Sequence, residues 1–393
     1  MRILMVHNRY RFSGGEDEST RSEVSMLRAH GNDVFEYIKD NNAEAHMGGV
    51  ASALRCVWSC SDYSALRHHI RQFRPDVMHV QNFFPLISPS AYYAASAEGV
   101  PVVQTLRNFR LLCPGATMFR AGSICDSCLR SGSRIPAVVH ACYRGSRAAT
   151  AAVASMAAVH QLARTWSKRV MVYIAISEFM RSTFVSAGFD NEKIAVKANF
   201  VEIDPGIGRG EGGYVLYAGR LSPEKGVREL MEAWRSQNFD FQLRIVGDGP
   251  LRSEVEDFTK SHAQICYLGK ASPQDVLRHM GDAAAVVVPS TCNETFGRTV
   301  VEAFAKGTPA IASSRGALPE LVRDHETGLR YGGDDGKTLP DAISQFLHSR
   351  ESWPGMRQNA RAEFEAKYTA ELNYPQLLGI YGRVIRATRP GWF

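Results

Sequence analysis

The strongest constraint on the fold is a regular alternation of short apolar runs and helix-like segments along the chain. In the first half, runs at 2–8, 33–38, 77–82, 100–106, 173–177 and 193–199 are predicted strands. The alternation restarts after a break with YVLYAGR, FQLRIVGDG, QICYLG and AAAVVVPS. Because these runs are continuously apolar, they are typical of parallel strands covered on both faces. The pattern predicts an α/β protein with two doubly wound, Rossmann-like domains.

The break between the two halves is EIDPGIGRGEGG, which contains five glycines and a proline. We expect an N-terminal domain at 1–201, a linker at 202–213 and a C-terminal domain at 214–368. The end of the chain, 369–393, is helix-like. A chain of 393 residues is too long to fold around one hydrophobic core of ordinary size, which supports two domains.

Composition and charge restrict the class of protein. With 45% hydrophobic and 22% charged residues, the chain is of the globular type. It shows neither an apolar stretch of about 18 residues nor a secretory leader, so we expect a cytoplasmic protein without a spanning helix. Eight cysteines without such a leader indicate a reducing compartment.

The positive charge is concentrated in the first half of the chain. Residues 101–200 hold 13 Lys/Arg against 4 Asp/Glu, either as a solvated surface or as a face for an anionic partner. The Ala-rich segment 144–169 is basic at both ends. A peripheral contact with an anionic membrane at the inner face of the plasma membrane is one interpretation. We favour an ordinary buried helix, and we do not expect nucleic-acid binding, since aromatic platforms are missing.

In open parallel sheets, ligands bind beyond the carboxyl ends of the strands. Two such domains facing each other would place their loop-rich edges across one cleft. The stretch AGRLSPEKG follows a predicted strand and carries Arg220 and Lys225 close to a helix start. Two cations at the positive end of a helix dipole predict an anion site that suits a diphosphate.

Two glutamates frame the start of a later helix. Glu294 lies in the loop after VVVPS, and Glu302 follows eight residues on. A helical path would separate the carboxylates by about 12 Å. That exceeds the roughly 5–10 Å of a glycoside hydrolase acid–base pair. The spacing suits two hydroxyl-binding groups at opposite ends of an extended ligand, although an ordinary exposed helix residue at 302 is the alternative.

Two further strand ends carry glycines. RFSGGEDES at 11–19 includes Gly15, which permits close approach of a ligand to the backbone. IVGDGP at 245–250 forms a tight turn that could line a nucleoside pocket. Neither has the G-x-G-x-x-G spacing of a dinucleotide fingerprint.

Four cysteines, Cys113, Cys125, Cys128 and Cys142, have the spacing C-x11-C-x2-C-x13-C. A structural zinc is one interpretation, but only one C-x-x-C knuckle is present. We favour reduced thiols over zinc and over a redox pair.

In combination, G-R-L-x-x-E-K-G, I-V-G-D-G-P and P-S-x-x-x-E-T-F-G-x-x-x-x-E-A-x-A-x-G-x-P resemble the retaining glycosyltransferases of family four. The resemblance covers nearly the whole chain and implies the GT-B fold, with a closing helix that crosses back to the first domain. It implies transfer of a sugar from a nucleoside diphosphate sugar to a glycan or lipid-linked acceptor with retention, in surface polysaccharide synthesis.

The resemblance also implies roles for individual residues. The implied catalytic residues are Arg220, Lys225 and Glu294. Arg220 and Lys225 would hold the diphosphate without a divalent metal, and Glu294 would contact the donor sugar. Glu302 would bind the ribose. The remaining donor-binding candidates are Gly15, Gly219, Gly247, Asp248, Phe296 and Gly297.

On the acceptor side the implied residues are Asn82, Arg107 and Asn108. Many relatives carry a histidine where this chain has Arg107, which favours an anionic donor or acceptor. Alternatives on the same fold are a catalytically weak nucleotide-sugar-binding subunit and a nucleotide-sugar epimerase.

Overall fold

The computed structural model describes residues 1–10, 14–41, 49–237 and 239–388, without the side chains of residues 49 and 50. The chain divides into two compact units. Unit 1 comprises Met1–Met118, Cys125–Ala198 and Asn373–Phe393, and unit 2 comprises Phe119–Ile124 and Asn199–Leu372. The first three residues of RFSGGEDES and the last five residues of the chain lie outside the described residues.

Unit 1 contains a six-stranded sheet in the order β2-β1-β3-β4-β7-β8, and every pairing is parallel. Its strands are β1 (Arg2–Arg9), β2 (Asp33–Asp40), β3 (Val77–Asn82), β4 (Val102–Leu106), β7 (Val172–Ala175) and β8 (Ile194–Val196). A short antiparallel hairpin, β5 (Phe119–Arg120) and β6 (Ser123–Ile124), follows β4 in the chain. Strands β3, β4 and β7 are buried at every position, as their apolar character predicts.

The helices of the first half connect these strands. They are α1 (Gly15–Ala29), α2 (Gly49–Val57), α3 (Cys60–Phe73), α4 (Ser90–Ala97), α5 (Ser127–Arg130), α6 (Ile135–Val139), α7 (Arg147–Leu162), α8 (Thr165–Lys168) and α9 (Glu178–Ser186). Serine side chains cap α3, α7 and α9, because each accepts a hydrogen bond from a backbone N–H of the first turn.

Unit 2 repeats the architecture with a parallel sheet in the order β11-β10-β9-β12-β13-β14. Its strands are β9 (Tyr214–Ala218), β10 (Gln242–Val246), β11 (Ile265–Gly269), β12 (Ala285–Val288), β13 (Ala310–Ser313) and β14 (Gly328–Tyr331). The remaining helices of the chain are α10 (Val227–Gln237), α11 (Arg252–Lys260), α12 (Pro273–Asp282), α13 (Arg298–Ala305), α14 (Leu318–Leu321), α15 (Leu339–His348), α16 (Trp353–Lys367) and α17 (Ala370–Thr388).

The prediction of two doubly wound domains with parallel sheets is confirmed. Residues 202–213, the predicted linker, contain neither helix nor strand and belong to unit 2. There, the N–H of Gly208 donates to Lys306 O at 2.9 Å, and that of Gly210 donates to Gly281 O at 2.9 Å. The glycine-rich segment is therefore hydrogen-bonded to other segments of unit 2.

Within the described ranges, no helix combines the length and the apolar character needed to cross a membrane.

Candidate functional site

Four loops of unit 2 lie at one edge of its sheet. Strands β10, β9, β12 and β13 are neighbours in that order and run parallel, so their carboxyl ends share an edge. Backbone hydrogen bonds join the loops that follow them. Leu221 N donates to Asp248 O at 3.0 Å, Thr291 N to Glu224 O at 3.0 Å, and Ala317 N to Glu294 O at 2.9 Å.

The central contact in these loops joins Lys225 to Glu294. Lys225 lies in a short 3₁₀ turn, Pro223–Lys225, and its Nζ lies 2.5 Å from Glu294 Oε1. Ser290 Oγ donates to the same oxygen at 2.5 Å. The lysine side chain is 34% exposed and that of the glutamate 12% exposed. The structure thus brings two of the predicted catalytic residues into direct contact.

The contact keeps both groups charged. Burial by itself would raise the pKa of Glu294, but the Lys225 charge and the hydrogen bonds from Lys225 and Ser290 outweigh it and lower that pKa. Burial would lower the pKa of Lys225, but the Glu294 carboxylate outweighs it and raises that pKa. At neutral pH the site therefore holds an ammonium and a carboxylate.

The second glutamate also has a cationic partner. Arg298 is the first residue of α13, and its Nε donates to Glu302 Oε1 at 2.6 Å, one helical turn away. The helix begins only at Arg298, so Glu294 lies in the loop before it, and the separation given for a fully helical path does not apply. Both members of the Arg298–Glu302 pair are partly exposed, which leaves Glu302 within reach of a ligand.

Phe296 and Gly297 shape the start of α13. The ring of Phe296 is buried and meets Tyr368 edge-on at 6.2 Å. Gly297 has φ of 106°, and a Cβ there would lie 2.8 Å from Leu318 Cδ2. Both residues therefore offer a ligand their backbone rather than a side chain, and their part in donor binding stays a prediction.

The loops after β9 and β10 hold the other donor-binding candidates of unit 2. Arg220 and Asp248 are exposed, and a Cβ on Gly247 would lie 1.8 Å from Gly219 O. Gly247 therefore permits close packing of these two loops. Arg220 and Lys225 lie in the same loop, but within the described part of the chain Arg220 forms no ion pair, so its role at the diphosphate stays a prediction.

In unit 1, Gly15 begins α1 at the carboxyl end of β1. Asp17 Oδ1 and His7 Nε2, 2.7 Å apart, hold the helix start against the strand. Asn108 Nδ2 donates to Glu16 Oε1 at 3.0 Å, so the start of α1 meets the loop after β4.

The three acceptor-side candidates line one pocket of unit 1. Its volume is about 20 Å³, room for roughly one water molecule. Asn82 is buried and holds the surrounding loops, because its Nδ2 donates to Asn8 O at 2.8 Å and its Oδ1 accepts from Phe84 N at 3.0 Å. Asn82 therefore has an evident structural function as well as the proposed one.

Arg107 lies in a buried network and is only 5% exposed. Its guanidinium donates to Gln81 Oε1 at 2.7 Å and lies 3.5 Å from Glu23 Oε2. Glu23 in turn pairs with Lys197 at 2.7 Å. Arg107 is thus held by Gln81 and by a carboxylate that it shares with Lys197, and its part in binding an anionic donor or acceptor stays a prediction.

The four cysteines lie near one another and are partly exposed. Burial raises the pKa of Cys128, and the neighbouring thiols Cys113, Cys142 and Cys125 raise it further. Over the described parts of the chain, no group of three or more His, Cys, Asp or Glu residues could hold a metal ion. Metal analysis of the purified protein would decide between reduced thiols and zinc.

Sequence reasoning missed three of the residues that now complete the site and its support: Ser290, Arg298 and Glu23. Arg298 could have been found, because Arg and Glu four residues apart on a helix usually pair. Glu23 gave no local signal, since its partners Lys197 and Arg107 lie on other elements. The contact of Ser290 with Glu294 lies within one loop and depends on the conformation of that loop.

The sequence matches two family models, Glycosyltransferase Family 4 over residues 21–205 and Glycosyl transferases group 1 over residues 203–363. A phosphatidyl-myo-inositol mannosyltransferase of Mycobacterium leprae is 29% identical over 56% of this chain and 61% of its own length. An uncharacterized glycosyltransferase of Methanocaldococcus jannaschii is 31% identical over 41% of this chain and 46% of its own length. A lipopolysaccharide 1,2-N-acetylglucosaminetransferase of Salmonella typhimurium is 34% identical over 40% of this chain and 45% of its own length. The chain spans about half the length of these curated relatives.

Solved structures match nearly the whole chain at low identity. The sucrose-phosphate synthase of Thermosynechococcus elongatus superposes with a TM-score of 0.71 at 16% identity, covering 98% of this chain and 99% of the other. HepE of Anabaena in complex with UDP-glucose superposes with a TM-score of 0.68 at 16% identity, covering 97% of this chain and 100% of the other. At these identities the likeness shows a shared fold.

Proposed function

Because the chain belongs to the family 4 glycosyltransferases and has the two Rossmann-like domains of the GT-B type, we propose that it transfers a sugar from a nucleoside diphosphate sugar to a glycan or lipid-linked acceptor. One observation carries the proposal. The carboxyl edge of the unit 2 sheet presents two carboxylates, each beside a cation, in adjoining loop and helix segments.

Glu294 and Lys225 would act at the bond that breaks. In the free protein the ammonium of Lys225 is bound to Glu294. A donor diphosphate offers Lys225 a second anionic partner, and the sugar hydroxyls offer Glu294 new hydrogen bonds. The lysine would then stabilise the charge that develops on the departing phosphate, as preorganised cations do in group transfer.

Arg220 and the start of α13 would add positive potential near the diphosphate. The first N–H groups of a helix lack partners within the helix and attract phosphate. With Lys225 and Arg220 supplying cationic charge, we propose that the transfer proceeds without a bound divalent metal.

Glu302 would hold the other end of the donor, at the ribose hydroxyls. Arg298 occupies Oε1 of the carboxylate and fixes its orientation. The carboxylate retains further acceptor capacity for ribose, since an ionised carboxyl group has about four lone-pair directions.

We further propose that the configuration of the sugar is retained. In this step the bond from the anomeric carbon to the donor phosphate breaks, and a bond from that carbon to the acceptor oxygen forms on the same face. The acceptor proton passes to the departing phosphate. The protein's own residues supply orientation and electrostatic stabilisation.

The acceptor that we propose is a surface glycan or its lipid-linked precursor, used at the cytoplasmic face of a membrane. The names of two relatives support this choice, because one acts on phosphatidyl-myo-inositol and the other on lipopolysaccharide. UDP and UDP-glucose complexes of a structural neighbour support a nucleoside diphosphate donor.

The test is a binding and turnover screen of UDP-, GDP- and ADP-sugars with wild type, Glu302→Ala and Glu365→Ala. Glu365 is the matched control, because Arg361 Nε contacts its Oε1 at 2.6 Å in another pair with the same four-residue spacing. We expect one nucleotide family to bind and to be slowly hydrolysed. Removing Glu302 should weaken binding about ten- to hundredfold, the value of a hydrogen bond to a charged group.

An equal loss of donor binding in Glu302→Ala and Glu365→Ala would contradict the ribose role of Glu302. Binding of a donor without hydrolysis or transfer would favour a nucleotide-sugar-binding subunit. If no donor binds and Glu302→Ala resembles wild type, the proposed function is wrong.

A further inference from the structure

One stretch of unit 1 lacks acidic residues. Residues 127–177 contain seven Lys/Arg and no Asp/Glu. The remaining residues hold 39 Lys/Arg against 40 Asp/Glu, so this stretch accounts for the positive net charge of the chain. Such a concentration of one sign creates a potential that selects anionic partners.

The same stretch exposes aliphatic side chains. Helix α7 buries one face, formed by Thr150, Val153, Met156, Ala157 and His160. On the remaining surface of α7, Val159 is half-exposed and Leu162 is 85% exposed. On α6, Ile135 is 69% exposed and Val139 is also exposed.

Two contacts bring three helices together around these side chains. Arg134 Nη1 donates to Gln161 Oε1 at 2.5 Å, which links the start of α6 to the end of α7. His160 Nε2 lies 2.9 Å from Val57 O, which links α7 to the end of α2. Leu54 on α2 and Trp58, which follows the helix, are two further exposed apolar residues. We call Leu54, Trp58, Ile135, Val139, Val159 and Leu162 the apolar surface.

Cations and aromatic rings lie beside the apolar surface. Arg164, Lys168 and Arg169 are exposed and follow Leu162 directly in the chain. The guanidinium of Arg169 lies 5.0 Å from the Tyr93 ring centre, and Tyr93 meets Trp58 edge-on at 5.1 Å. Exposed aliphatic groups bordered by Trp, Tyr and Lys/Arg suit the boundary between lipid headgroups and acyl chains.

We infer that the apolar surface and its cations dock unit 1 on a bilayer of anionic phospholipid. Charge complementarity decides the occupant. The excess of cations in this stretch, in which Arg130 pairs with Asp126 just outside it, favours acidic headgroups, and the aliphatic side chains favour an acyl layer over a nucleic acid. The inference deepens the proposed function, on which its biological meaning rests, because a membrane is where a lipid-linked acceptor would be found.

The test is co-sedimentation with vesicles of phosphatidylcholine alone or with 30% phosphatidylglycerol, without any sugar donor. One variant combines Ile135→Ser and Leu162→Ser, and a second combines Arg164→Ser and Lys168→Ser. All four residues are exposed, so the fold should survive. The control is Ile203→Ser with Ile207→Ser, two isoleucines of similar exposure in unit 2.

Wild type and the control should bind the anionic vesicles, and added salt should release them. The charge variant should lose about fivefold in partitioning per cation removed. In the aliphatic variant, partitioning onto the anionic vesicles should fall at least severalfold. Equal binding to neutral vesicles, or wild-type binding by both variants, would overturn the inference. Donor binding is measured separately, so a failure here leaves the proposed function standing, and the reverse also holds.

Discussion

At the scale of single residues, the site consists of charges that are already paired. Glu294 is bound by Lys225 and Ser290, and Glu302 by Arg298. Each pair fixes one carboxylate oxygen before a ligand arrives. Preorganisation of this kind reduces the ordering cost of binding, although the diphosphate of the proposed donor would have to compete with Glu294 for Lys225.

Arg298 gives a prediction at this scale. Arg298→Ala should raise the KM for the donor about three- to tenfold and leave kcat within twofold, because it releases Glu302 without touching the reacting bond. Arg298→Lys should restore part of the affinity. Steady-state kinetics of donor hydrolysis measures both constants. A fall in kcat with unchanged KM would instead assign Arg298 to the transition state.

At the scale of elements, the site depends on loops that connect strands to the following helices. Hydrogen bonds join the loop after β9 to the loops after β10 and β12, and the loop after β12 to that after β13. The resulting edge is built from four chain segments, which is why residues 69 positions apart, Lys225 and Glu294, meet there. Glycines allow these loops to approach each other.

Gly247 and Gly219 give a matched prediction for these loops. A Cβ at Gly247 would collide with Gly219 O, whereas a Cβ at Gly219 would meet only Tyr217 Oη at 3.5 Å, an ordinary contact. Gly247→Ala should therefore destabilise the protein by about 1–3 kcal/mol and weaken donor binding. Gly219→Ala should be nearly neutral for stability. Thermal unfolding and donor titration of both variants provide the check; equal stability of the two would contradict the steric argument.

At the scale of the whole molecule, each unit has its own core, and unit 1 adds a buried ionic network. Glu23 on α1 contacts Lys197 after β8 and Arg107 after β4. Lys197 Nζ also donates to Asn373 Oδ1 at 2.8 Å, which fastens α17 to unit 1. Burial raises the pKa of Glu23, but the Lys197 and Arg107 charges outweigh it and lower that pKa to about 2.

This network predicts acid sensitivity of unit 1. A lowered pKa means that the unfolded chain binds the proton first, so stability is present above the unfolded value and is lost as pH falls toward the folded value. Burial lowers the pKa of His79 to about 4, so its contribution is lost between about pH 6.5 and 4. The contribution of Glu23 is lost between about pH 4.5 and 2.

Glu23→Gln should destabilise unit 1 by about 3–5 kcal/mol at pH 7, because it leaves Lys197 and Arg107 buried without their counter-ion. Hydrogen exchange of α1 and β3, with urea unfolding at pH 7 and 4, measures the loss. Glu256→Gln is the control, since it breaks an exposed pair with Arg252 that should contribute little. Similar effects of the two variants would show that the buried network is not a stabilising feature.

The sequence by itself determined the architecture and the positions of the site residues along the chain. Continuous apolar runs and the glycine-rich turns after them are local signals, so both sheets and the strand-end positions of Lys225 and Glu294 could be predicted from them. Glu302 was placed on the correct helix for the same reason.

Only the tertiary structure decided the partners of charges that lie far apart in the chain. Ser290 and Lys225 share one oxygen of Glu294 because β9 and β12 are neighbours in the sheet, although two strands separate them in the chain. Arg107 follows a strand as an acceptor-side residue would, yet it faces Glu23 in the interior. Burial and ion pairing depend on strand order and on distant segments, and the local pattern of a sequence carries neither.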